Sequence, residues 1–164
     1  MNEIYTRVSI RKYQDRPVER EKLMQILKAG MQAPSAGNQQ PWEFYVVEDK
    51  ETIETLSKVH RYSGCAAAAP VVIVPCIKTD NMIFEQYGDI DCAIATENMW
   101  LEMTSLGLGG VWMGISPVED RMRAVEEILH MPENLKAFAL LPLGYPAETK
   151  QQQDRFHEER IHFV

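Results

Sequence analysis

Ala33-Pro34-Ser35-Ala36-Gly37-Asn38-Gln39-Gln40-Pro41-Trp42 sets the frame in which the rest of the chain is read. A helix-like run ends at the first proline and an apolar, strand-like run begins just after the second, so the residues between them form a loop. The small side chains of Ser35, Ala36 and Gly37 let a flat ligand touch the backbone. Asn38, Gln39 and Gln40 add paired donors and acceptors. Such a loop suits recognition of heteroatoms on a planar ring.

Upstream, Leu23, Ile26, Leu27 and Met31 recur at helical spacing after Pro17-Val18-Glu19, which predicts a helix over 19–32 that Pro34 stops. Downstream, 43–47 reads as a short strand, and Asp49 is placed to cap a helix through Lys58 with Ile53 and Leu56 on its inner face. Val71-Val72-Ile73-Val74 has no polar alternation, as expected of a central strand covered on both faces. The longest helical candidate, 89–106, carries Ile90, Cys92, Ala93, Ile94, Met99, Trp100, Leu101, Met103 and Leu106 around most of its circumference. Such a helix is buried on more than one side, either by a second subunit or at the centre of a single chain, and periodicity does not choose between them.

Ser116-Pro117-Val118-Glu119 has the form of a capped helix start, with Glu119 placed to close a capping box. Val118, Met122, Val125 and Leu129 continue that helix until His130-Met131-Pro132 ends it. Residues 138–143 read as an apolar strand closed by Gly144. The polar tail from Gln151 ends in Ile161-His162-Phe163-Val164, an edge strand in need of a partner. With no repeat and no linker, residues 1–164 are read as one domain.

At 164 residues and 45% hydrophobic content, the chain can bury a genuine core. A formal charge of -7 excludes a sequence-independent nucleic-acid binder and a binder of anionic membranes, since both need clustered cations. The amino end lacks the pattern of a secretory signal and no stretch has the apolar length of a membrane span, so the expected location is the cytoplasm. Cys65, Cys76 and Cys92 fit neither a disulfide framework nor a zinc pair and are read as reduced core thiols.

Arg7-Val8-Ser9-Ile10-Arg11 places two guanidinium groups and a hydroxyl on alternate residues, a set that converges on a phosphate when the segment is extended; the alternative is two solvated arginines. Gly107-Leu108-Gly109-Gly110-Val111-Trp112-Met113-Gly114-Ile115 follows a helix rather than a strand, which removes the dinucleotide-binding reading. It is either a segment whose amides approach a ligand plane or a helix end leading into a buried strand. His60, His130, His157 and His162 show no metal-ligand spacing, and no nucleophile elbow is present. No catalytic acid, base or metal is assigned. Phosphate donors, an amide-rich loop and a glycine-lined wall point to an organic cofactor that carries the chemistry itself.

In this order the segments resemble the nitroreductase family of flavin mononucleotide (FMN) enzymes over nearly the whole chain: R-x-S-x-R at Arg7, Ser9 and Arg11, A-P-S-x-x-N-x-Q-P-W from Ala33 to Trp42, G-x-G-x-x-W-x-G from Gly107 to Gly114, and a tail ending R-I-H-F. The resemblance implies an α+β three-layer sandwich, a mixed or antiparallel sheet flanked by helices, in an intertwined homodimer with FMN at the subunit interface. The helix from Asp89 then becomes the dimer core, and Ile161 to Val164 joins a sheet edge on the other chain.

The resemblance also assigns residues. Arg7 and Ser9 hold the phosphate, Val8 between them belongs to the same cofactor-binding segment, and Arg11 reaches the phosphate or the pyrimidine edge, while Pro34, Ser35, Ala36 and Asn38 contact the flavin from the other subunit. Trp112, Met113, Gly114 and Ile115 present a main-chain amide to the central ring, and Arg155, with Arg160 as second choice, supplies a late phosphate-binding cation. The implied activity passes hydride from NADH or NADPH through FMN to nitroaromatic, quinone or similar acceptors by a ping-pong mechanism. The rival reading is an FMN-binding redox sensor or carrier without turnover. Only Ile77 to Gly88 fills the space where longer members carry extra helices, so Phe84 and Tyr87 either form a small aromatic lid or pack against the helix start.

Overall fold

Strand β2 (Val71–Lys78) is buried along its length except at Lys78 and lies between two sets of neighbours. On one side it pairs antiparallel with β1 (Trp42–Val47), with Val46 opposite Ile73. On the other it pairs with β5 (Leu135–Ala137) and β6 (Ala139–Gly144), with Ile73 opposite Leu141. Strands β3 (Gly109–Gly110) and β4 (Met113–Gly114) both pair with β6. The computed structural model, which describes residues 2–164, therefore places the β-branched run at the sheet centre, as its composition predicts, and leaves β1 as an outer strand.

Alternation along β2 divides the core into two layers. Val72, Val74 and Cys76 pack with Ile53 and Leu56 of α3 (Lys50–Leu56) and Val125 of α5 (Glu119–Ile128). Val71 and Ile73 face the opposite way, onto Leu23 and Ile26 of α2 (Arg20–Met31) and Met99, Trp100 and Met103 of α4 (Gly88–Ser105). The result is an α+β sandwich of three layers with helices on both sheet faces. Truncating a fully buried core side chain such as Ile73 to alanine costs about 2–5 kcal/mol.

Helices α2 and α4 approach closely because Gly30 has no side chain: a Cβ there would sit 2.7 Å from Met99 Cγ. Helix α4 buries Cys92, Ala95, Met99, Trp100 and Met103 within the chain, while Ile90 remains exposed and Ala93, Ile94 and Leu101 are only partly covered. Its apolar circumference thus exceeds what one chain covers. At the amino end, α1 (Glu3–Thr6) packs on α4, and Ser9 forms a parallel bridge to Gly110.

Two local expectations need correction. The capping box at Ser116 does not form, because the Ser116 hydroxyl donates to Asp89 Oδ1 at 2.9 Å, across to the first turn of α4, and α5 begins only at Glu119 without a side-chain cap. Helix α3 ends at Leu56 rather than Lys58: the Ser63 hydroxyl donates to Ser57 O at 2.7 Å and turns the chain away. Asp49 does cap it, accepting from Thr52 N at 2.9 Å. In the single chain Ile161–Val164 forms no strand. It is exposed and follows a short turn over Glu158–Arg160.

Candidate functional site

The loop after α2 is built around Gln39, whose amide is fully engaged inside the chain. Its Nε2 donates to Asp91 Oδ2 at 2.7 Å and Phe84 O at 3.1 Å, and its Oε1 accepts from Phe84 N at 2.9 Å and Ile83 N at 3.2 Å. Ala36 N donates to the other Asp91 oxygen at 3.0 Å, so both oxygens of a carboxylate only 2% exposed are bonded. Gln39 is therefore a brace, not the ring-reading group that its place among Asn38 and Gln40 predicts. Ser35 Oγ accepts from Gln40 N, and Asn38 is left exposed at φ +55°. Pro34 is exposed as well, while Ser35 and Ala36 are half-buried.

Gly37 takes φ +56°, and a Cβ on it would lie 2.7 Å from the Phe84 ring. Phe84 thus lies against the loop as well as meeting Tyr87 edge-on, with ring centroids 6.3 Å apart. Both aromatic residues remain partly exposed. The short connector before α4 is consequently tied to the loop through Gln39, a link that no local sequence signal marks.

Arg7, Ser9 and Arg11 lie elsewhere on the chain. The Arg7 guanidinium stacks 3.9 Å from the Trp100 ring centroid, with Nε 3.6 Å from Glu97 Oε1. Burial raises the Glu97 carboxyl above its ordinary range, and the Arg7 charge partly offsets this. Ser9 follows the edge of β3, and Arg11 is exposed, its main-chain N–H donating to Glu148 Oε1 at 2.6 Å. Among the described residues the Arg11 guanidinium has no ion-pair partner. Asp91 and Trp100, the anchor points of the loop and of Arg7, are nine residues apart on α4, about 14 Å at 1.5 Å per residue.

The glycine-rich segment takes one of its two sequence readings, a helix end leading into buried strand. Gly107, at φ +73°, ends α4, and Leu108 to Val111 are buried. Met113 and Ile115 point into the core, Trp112 meets Phe138 edge-on at 5.6 Å, and the Ile115 amide donates to Phe138 O. Gly114 is exposed: a Cβ there would meet nothing within 4 Å, and its carbonyl accepts from Arg121 Nη1 at 3.2 Å. Arg155 and Arg160 lie in the exposed tail, without ion pairs among the described residues.

The donor set suits a phosphorylated flavin. Arg7 Nη1 is buried without an acceptor, Arg11 carries an uncompensated charge, and Gly114 leaves a surface that a planar ring can approach. Among the described residues no group of His, Cys, Asp and Glu is arranged to hold a metal, and no helix is long and apolar enough to cross a membrane. The cysteines are free thiols: burial pushes Cys76 up to about 12 and also raises Cys92 and the half-buried Cys65.

An α+β sandwich with these segments is the architecture of a flavin-type oxidoreductase scaffold, and the chain belongs to the nitroreductase family, whose model matches residues 4–63 and 58–145. A protein of Archaeoglobus fulgidus that bears the provisional name NADH dehydrogenase/NAD(P)H nitroreductase is 43% identical, over 97% of this chain and 94% of its own. An FMN-dependent nitroreductase from Clostridium difficile superposes with a TM-score of 0.91 at 30% identity, covering 99% of this chain and 97% of that one. A structure from Clostridium acetobutylicum, provisionally named an NADH oxidase, reaches a TM-score of 0.95 at 42% identity, covering 98% and 97%.

Proposed function

We propose that this chain is an FMN-dependent oxidoreductase that takes electrons from NADH or NADPH and delivers them to nitroaromatic, quinone or similar electron-poor acceptors in a ping-pong cycle. The observation that carries this reading is the buried Arg7 Nη1 without an acceptor, in a segment that also carries Ser9 and an Arg11 without an ion-pair partner among the described residues, in a family with an FMN-dependent relative. FMN, when bound, supplies the two-electron relay between nicotinamide and acceptor. Arg7, with Ser9, orients the phosphate, Val8 lies between them in the same cofactor-binding segment, and Arg11 neutralises the phosphate charge or that of the pyrimidine edge. Trp112 to Ile115 form the wall on which the ring rests, with Gly114 as the point of closest approach.

The working unit in this reading is a homodimer. Pro34, Ser35, Ala36 and Asn38 of one copy complete the flavin site of the other, which accords with the distance along α4 between the loop and Arg7. The partly covered face of α4 becomes the subunit contact. The tail carries Arg155, or Arg160, to the phosphate, and its Phe156, Ile161 and Phe163 are exposed as a segment awaiting a second chain would be. The outer edge of β1 offers Ile161–Val164 a strand to join. Free thiols and a nicotinamide donor accord with a cytoplasmic setting.

The test is the absorption spectrum of the purified protein before and after NADH or NADPH is mixed in by stopped flow. A flavin spectrum that bleaches within the dead time to seconds, and recovers on adding a quinone, is the expected result. Persistent colour would instead support a carrier or sensor, and a colourless protein that takes up no added FMN would overturn the assignment.

A further inference from the structure

Two buried donors on the same side of α4 lack acceptors within the chain: Arg7 Nη1 and Trp100 Nε1. They belong to groups stacked on one another, the guanidinium carbon lying 3.9 Å from the indole centroid. Trp100 is itself 8% exposed and packed among Leu23, Ile26, Met103 and Leu108, so its ring plane is set by the core and not by the ligand. Glu97, three residues earlier and on the same helix face, bounds the other edge of the guanidinium at 3.6 Å from Nε. A free arginine samples many rotamers, whereas this one lies over the indole face beside Glu97 with Nη1 buried and unpaired.

We propose that Trp100 is a positioning residue for phosphate recognition, its indole face holding the Arg7 guanidinium so that Nη1 is presented to a phosphate oxygen. The inference rests on the FMN reading and deepens it. A cation held against a desolvated aromatic face loses little freedom when a third group binds, so removing that face weakens only the phosphate-dependent part of cofactor affinity. Riboflavin, which has the same ring and no phosphate, is the internal control.

The experiment titrates the full-length chain, freed of flavin, with FMN and with riboflavin by flavin fluorescence, for wild type, Arg7→Ala, Trp100→Leu, Trp100→Phe and Arg7→Ala/Trp100→Leu. Trp100→Leu is expected to lower the preference for FMN over riboflavin about tenfold, or about 1.4 kcal/mol, while Trp100→Phe, which keeps an aromatic face, stays within about threefold of wild type. In the Arg7→Ala background, Trp100→Leu is expected to lower it by less than about twofold, because the group it positions is gone. Equal weakening of FMN and riboflavin, or an undiminished loss in the Arg7→Ala background, would overturn the role of Trp100. Failure of the FMN reading is distinguishable: wild type would then show no preference for FMN over riboflavin at all.

Discussion

Gln39 Nε2 and Asp91 Oδ2 meet at 2.7 Å, and this contact ties the loop after α2 to the first turn of α4. Asp91 is otherwise an almost fully buried carboxylate at the start of the longest helix, and its second oxygen is held by the Ala36 amide. The same glutamine carries Phe84 and Ile83 on its carbonyl. One side chain thus sets the mutual placement of the loop, the connector before α4 and the helix itself.

Replacing Gln39 with leucine leaves the Asp91 carboxylate short of a donor and frees the connector. The expected loss is about 1–3 kcal/mol of folding stability, measured by urea unfolding. A change below about 0.5 kcal/mol would show that solvent replaces the brace.

Gly37→Ala forces a side chain into a left-handed conformation and against the Phe84 ring. It is expected to cost about 1 kcal/mol or more. In the Phe84→Ala background the steric part disappears and only the backbone part remains, so a double-mutant cycle should show coupling. Strict additivity would mean that Phe84 does not lie over the loop.

Stability should fall on the acid side through Glu19. Its Oε2 accepts from the Tyr145 hydroxyl at 2.6 Å, and that bond, with the Arg16 pair, holds the carboxyl at about 2 against an ordinary 4.5. Because the folded-state value is the lower one, the unfolded chain takes up the proton first as pH falls. The stabilisation is whole above about pH 4.5 and lost as pH falls to about 2. The Tm gap between wild type and Tyr145→Phe, followed from pH 7 downward, should therefore close across that window; a gap independent of pH would assign it to packing alone.

Native protein treated with a thiol-titrating disulfide reagent at pH 8 should react at Cys65 at most, and slowly, since burial raises all three thiols and Cys76 and Cys92 lie in the core. Denatured protein should show all three. Rapid labelling of Cys92 in the native state would contradict the packing of α4 on the sheet.

Converting Arg7 and Arg11 together to alanine is expected to weaken FMN binding at least about tenfold, with riboflavin binding little changed. Unchanged FMN affinity would displace the phosphate from the amino end.

Elements whose causes are local could be read from residue order. Pro34 and Pro41 bound a loop because proline restricts its neighbours, Val71 to Val74 form the central strand because β-branched side chains without polar alternation must be covered on both faces, and Asp49 caps α3 within three residues of its partner. The motif segments were legible for the same reason, since each needs only residue type and spacing. Tertiary structure decided what each polar group does once folded. Ser116 turns from helix capping to Asp89, Gln39 turns from ring recognition to Asp91, and Arg7 settles on Trp100, all across long gaps in the chain. A hydrogen-bonding side chain takes the partner that folding brings near it once water is excluded, and that partner is a property of the packed layers, not of its neighbours in sequence.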